Sequence, residues 1–120
     1  MMFENRIHEM INLGLQETSL YKVKSYIDFL WSSNSALNLF SRQMSFQELI
    51  DNHLIDCLLP LNQFPMKNVK DVADFGSGSG LPGVLYAINF PEINFHLFEK
   101  SLSVQNFFPF HPGSKFRIYT

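Results

Sequence analysis

Along the first sixty residues the apolar positions recur at three- and four-residue intervals, the spacing of one face of an α-helix. In FENRIHEMINLGL, Ile7, Met10 and Ile11 share a face, and Gly14 is placed to close the helix in a left-handed conformation. In TSLYKVKSYIDFLWSSN, Leu20, Val23, Ile27, Leu30 and Trp31 form one stripe expected to be core. Thr18 or Ser19 is the expected cap of that helix, and SSNSALNLFSRQ is expected to be a connection. A third helix is announced by Ser45-Phe46-Gln47-Glu48, the pattern of a capping box, in which hydroxyl and carboxylate satisfy orphan backbone donors. Phe46, Leu49, Ile50, Leu54, Leu58 and Leu59 carry its apolar positions, and Pro60 ends it.

After the polar stretch NQFPMKN the period changes. VKDVADF predicts a short, mostly apolar strand, and a glycine-rich turn follows it. PGVLYAIN predicts a helix with Pro82 in its first turn, where a missing N–H costs nothing. NFHLFEK alternates, with Phe95, Leu97 and Glu99 on one side and His96 and Phe98 on the other. LSVQNFF is expected to be another short helix. Strand, turn, helix and strand in this order predict a parallel crossover, the start of an α/β sheet. The closing stretch PFHPGSKFRIYT shows no clear period, so the further strands that an open sheet needs are not expected in it. The expected organisation is a helical region over 1–65, a partial Rossmann-like domain over 66–108 and a tail over 109–120.

Composition narrows the class without naming a function. The chain has 120 residues, 46% of them hydrophobic and 13 of them Phe, enough for one folded domain with a core. A net charge of −2 and the lack of a basic run leave nucleic-acid contact to a local patch. The single cysteine, Cys57, excludes an internal disulfide and suits a reducing cytoplasm; it is expected to be a small core residue. Neither a secretory signal nor a membrane span is expected.

The chemistry concentrates in DVADFGSGSGLPG, residues 71–83. Gly76, Gly78 and Gly80 allow a sharp exit from the strand and close approach of a ligand to bare backbone. Amides of the following helix start are expected to point toward that ligand. Glu99, at the end of the next strand, stands where a carboxylate accepts hydrogen bonds from a ribose diol. No Gly-Lys-Ser/Thr follows, so this is not a phosphate loop, and the G-x-G-x-G spacing departs from the dinucleotide fingerprint. Asp74 would repel a pyrophosphate and attract the sulfonium of S-adenosyl-L-methionine, which favours a methyl donor over a nicotinamide cofactor. Against this stands the plainer reading that the glycines only make a tight turn.

NSALNLFS, NHLIDCLLP and DVADFGSGSGLPGVLYAINFPEINFHLFEKS together resemble the bacterial small-subunit (16S) ribosomal RNA guanine-N7 methyltransferase family, also called glucose-inhibited division protein B. The resemblance runs from about Asn34 to Phe108 and is carried by GSGSGLPG with the upstream His53 and Asp56. It implies that Gly76 and Leu81 contact S-adenosyl-L-methionine, that Gly78 and Gly80 shape the loop, and that Glu99 lies near the ribose. It also implies small-subunit ribosomal RNA as partner, a cytoplasmic location, and attack of a guanine ring nitrogen on the donor methyl, for which alignment suffices without a strong base. Cys57 stands where the family has serine, and Ser103 and Val104 stand where it usually has basic residues. The second half of the family's domain has no counterpart, so a chain truncated after about Phe108, with little or no activity, is the expectation.

Other groups weigh less. His53 and Asp56, three apart on a predicted helix, are either a polar pair shaping the pocket or an ordinary surface contact. His8, His96 and His111 lack ligand spacing, so no metal site is expected. FFPF with Lys115 and Arg117 could stack on RNA bases but is more simply exposed apolar sequence. The alternative function is a non-enzymatic helical interaction module or a pseudogene-derived fragment.

Overall fold

The computed structural model describes residues 3–37, 41, 43–75, 81–98 and 116–119, arranged in two compact units, Met1–Lys67 and Asn68–Thr120.

The first unit is helical. A 3₁₀ turn at Glu4–Arg6 leads into α1, Ile7–Leu13, which buries Met10. Gly14 closes α1 at φ 123°, and its N–H donates to the Ile11 carbonyl. A Cβ there would lie 3.2 Å from that of Leu61, so both the left-handed backbone and the close packing call for glycine.

A second 3₁₀ turn, Glu17–Ser19, runs into α2, Leu20–Leu37. Thr18 and Ser19 therefore lie inside a helical turn, and the extended residue before it is Gln16, at φ −78° and ψ 141°. Val23, Tyr26, Ile27 and Leu30 are buried on one stripe of α2. Trp31 departs from the expected core: it is 39% exposed, at the margin of the stripe, with its ring set edge-on against Phe46 at 5.5 Å. The helix also continues through Leu37, into the stretch expected to be a connection.

Ser45 caps α3, Phe46–Leu49, its Oγ accepting from the Glu48 N–H at 3.1 Å. The helical path then widens into a π turn, Ile50–Leu54, before α4, Ile55–Leu58, and a closing 3₁₀ turn, Leu59–Asn62. The sequence explains the widening. Two buried doublets, Leu49-Ile50 and Leu54-Ile55, sit five residues apart. Five α-helical steps would turn the second doublet about 140° away from the first. One i→i+5 turn absorbs that error and keeps both facing inward. Leu59, expected to be apolar core, is instead 48% exposed, while Ile55 is buried. Cys57 is half-buried rather than core.

Across this unit Arg6 ties the first turn to the π turn. Its Nε and Nη2 reach Asp51 Oδ1 at 3.0 and 2.9 Å, and its Nη1 reaches Glu9 Oε2 at 2.8 Å. Gln47 Nε2 donates to the other Asp51 oxygen at 2.8 Å. The Gln47 bond, and after it Arg6, holds the Asp51 carboxyl below its ordinary pKa.

The second unit is a three-stranded parallel sheet, β1 (Asp71–Phe75), β2 (Asn94–Phe98) and β3 (Phe116–Tyr119), in the order β1-β2-β3. The helix α5, Gly83–Asn89, lies between β1 and β2 in sequence and is buried along its whole length. β1, α5 and β2 fall where the pattern predicts. β3 corrects the expectation for the closing stretch: Phe116 to Tyr119 pair in parallel with Phe95 to Phe98. The short helix expected over LSVQNFF lies outside the described residues.

The sheet has two unlike faces. Phe95 and Leu97 are buried on the face that meets α5, whereas His96 and Phe98 stand on the other, as the alternation predicts. On that second face Phe75, Phe98 and Tyr119 form a ladder of rings across all three strands, with centroids 4.8 and 4.7 Å apart and planes 14° off parallel. His96 bridges the same strands, its Nδ1 2.9 Å from Tyr119 Oη and its Nε2 3.3 Å from Asp71 Oδ1.

Candidate functional site

The ends of β1 and β2 position the site. In the parallel register Asp74 pairs with Leu97 and Phe75 with Phe98, so both strands finish at one level. The residues that follow them in sequence are Gly76 and Glu99. Gly76, Gly78, Gly80 and Glu99 themselves lie outside the described residues.

Asp74 and Leu81 are described, and both are half-buried. Asp74 is the last residue of β1 on the α5 side of the sheet. Its Oδ2 accepts from the backbone N–H of Gly83, the first residue of α5, at 3.1 Å. Gly83 is buried against this carboxylate: a Cβ added there would sit 2.5 Å from Asp74 Oδ2 and 3.0 Å from Leu97 Cδ1. Pro82 is the N-cap of α5 rather than a residue of its first turn, and it makes no side-chain capping bond.

This geometry corrects one expectation. The amide at the start of α5 is aimed at Asp74, not outward to a ligand. It also tests which ligand the turn suits. A phosphate seated at such a turn depends on free amides, and here the first helical one is already committed to a carboxylate. A pyrophosphate would meet negative charge where it needs donors, whereas a ligand with a positive centre would not.

His53 and Asp56 belong to the helical unit. His53 is half-buried in the π turn and Asp56 is exposed on α4, so their three-residue spacing spans a wider turn than the α-helical one expected. Among the described residues no group of three His, Cys, Asp or Glu could hold a metal ion, and no helix is long and apolar enough to cross a membrane. The ring ladder and the His96 bridge were not anticipated. Their signal was available in the alternation of Phe116 and Ile118 with Arg117 and Tyr119.

Helices followed by a parallel sheet, with the glycine-rich sequence of residues 76–80 between its first strand and first helix, fit a partial α/β methyltransferase fold. A family model for rRNA small subunit methyltransferase G matches residues 19–109. The chain is 59% identical over 105 residues to ribosomal RNA small subunit methyltransferase G 1 of Bdellovibrio bacteriovorus, a match covering 88% of this chain and 51% of that protein. It is 35% identical over 97 residues to ribosomal RNA small subunit methyltransferase G of Borreliella burgdorferi, covering 80% and 47% of the two. With the protein of that name from Syntrophomonas wolfei it shares 39% over 87 residues, covering 72% and 40%. The chain belongs to the rRNA small subunit methyltransferase G family. It spans about half the length of the first two of these relatives.

Proposed function

We propose that this chain carries the donor-binding segment of an S-adenosyl-L-methionine-dependent methyltransferase acting on guanine N7 of small-subunit ribosomal RNA in the cytoplasm. The observation that carries the reading is the half-buried Asp74 carboxylate near the end of β1, accepting from the first amide of α5 in a chain of this family. Gly76 and Leu81 contact the donor, Gly78 and Gly80 shape the turn around it, and Glu99 accepts from its ribose.

Bound S-adenosyl-L-methionine supplies a methyl group activated by an adjacent positive sulfur. The guanine nitrogen brings its own lone pair, so the chain's task is to align the two and exclude water. Asp74 favours the positive centre and disfavours a pyrophosphate. Family membership favours this reading over a non-enzymatic interaction module.

The test is a titration of the isotopically labelled chain with S-adenosyl-L-methionine, followed by NMR. Shifts are expected at Asp74, Phe75, Leu81 and Phe98, the described residues that border the turn and the strand tips. Shifts confined to α1 and α2, or none at millimolar donor, would overturn the reading.

A further inference from the structure

We infer that Asp71, His96 and Tyr119 form a one-way hydrogen-bond chain through which the first residue of β1 sets how firmly β3 is held. The two strands are not neighbours, because β2 lies between them in the sheet. The side chains thus couple strands that backbone pairing leaves apart.

The register places the three groups on one diagonal of the sheet face. Asp71 pairs with Asn94 and Tyr119 with Phe98, so each stands two residues from His96, in opposite directions along β2. Such diagonal neighbours are within reach of aromatic and long side chains. His96 Nε2 lies 3.3 Å from Asp71 Oδ1, and its Nδ1 lies 2.9 Å from Tyr119 Oη.

The direction of the chain follows from what each group can give. A carboxylate only accepts, so Nε2 must carry the proton that bonds Asp71. A neutral imidazole has one N–H, which leaves Nδ1 bare and able only to accept. The Tyr119 hydroxyl is then the donor to Nδ1. The other tautomer would set the Nε2 lone pair against a carboxylate oxygen, acceptor against acceptor. Every proton therefore points from phenol to imidazole to carboxylate, and bonds aligned in this way strengthen one another.

The consequence falls on β3, only four residues long, whose Tyr119 holds it twice on β2. The ring stacks on Phe98 and the hydroxyl bonds His96, and only the second hold depends on Asp71. Asp71 and Tyr119 are both exposed, so the coupling is a matter of a few-fold, not of folding or unfolding.

Four chains test it by amide exchange over Phe116–Tyr119 at one pH: the unaltered protein, Asp71→Ala, Tyr119→Phe and the double variant. Tyr119→Phe keeps a stacking ring and removes the donor. Asp71→Ala is expected to speed β3 exchange about two- to fivefold when Tyr119 is present and to leave it unmoved when Phe stands there. In the unaltered chain, held above the ordinary imidazole range, long-range proton–nitrogen spectra are expected to show Nε2 protonated and Nδ1 bare.

An Asp71→Ala effect of equal size in both backgrounds, or none in either, would overturn the inference. So would a spectrum that puts the proton on Nδ1. That spectrum needs no substitution, so it decides the matter even where a variant fails to fold.

Discussion

Phe98 and Tyr119 lie face to face, 4.7 Å between ring centroids and 14° between planes, joining β2 to the short third strand. The Tyr119 hydroxyl also meets His96 Nδ1 at 2.9 Å. Stacked pairs contribute about 0.5–1.5 kcal/mol beyond the area they bury. Tyr119→Ala is therefore expected to release β3, seen as fast amide exchange over Phe116–Tyr119 while β1 and β2 stay protected. Tyr119→Phe keeps the stack and loses one exposed hydrogen bond, so it is expected to cost clearly less. Equal losses in the two variants would show that the ring contact does not hold the strand.

Gly83→Ala sets two effects against each other. Helix propensity alone favours alanine by about 1 kcal/mol. The added methyl, however, would press on Asp74 Oδ2 at 2.5 Å and Leu97 Cδ1 at 3.0 Å. Overpacking of this kind costs about 1–3 kcal/mol. Steric cost is expected to win, lowering the urea midpoint. A raised midpoint would show that α5 starts farther from β1 than described here.

The Asp51 contacts predict an acid-sensitive first unit. Its carboxyl is held below the ordinary value by Gln47 and Arg6, so the folded state binds a proton less readily than the unfolded chain. The stabilisation is present above the unfolded value of about 3.9 and fades as pH falls through the lower folded one. Asp51→Asn is expected to flatten the loss of thermal stability on acidification below about pH 5 relative to the unaltered chain. Parallel pH profiles for the two proteins would contradict this assignment.

Donor affinity is expected to be weak in the 120 residues alone. The chain spans about half of its Bdellovibrio relative, and each buried hydrogen bond to the donor made by residues outside these 120 would be worth about 1–3 kcal/mol. Calorimetric titration with S-adenosyl-L-methionine should give a Kd above 1 μM. Tighter binding would mean that residues 71–99 and their neighbours hold the donor without further contacts.

Much of the fold was legible because local patterns and burial agreed. The alternation in NFHLFEK placed Phe95 and Leu97 inward, and Ser45 capped α3 as its spacing indicated. Trp31 misled because it neighbours Leu30 on the stripe, yet a helical step of about 100° carries it to the margin. The π turn escaped because the doublets Leu49-Ile50 and Leu54-Ile55 were read with an α-helical period. β3 escaped because Pro112 and Gly113 drew attention from the alternation just after them. At the site, the carboxylate of Asp74 was noticed for its charge. Its bond to Gly83 joins a side chain to a main-chain amide nine residues on, and no residue pattern spells out such a contact.

The third strand has a broader meaning. Phe116–Tyr119 falls beyond the residues that the family model matches, yet it docks on β2 in continuous register. Main-chain pairing inspects alternation and reach, never pedigree. The border of β2 away from β1 is thus covered by four residues whose Tyr119 ring lies over Phe98, a contact made by backbone register and one aromatic face.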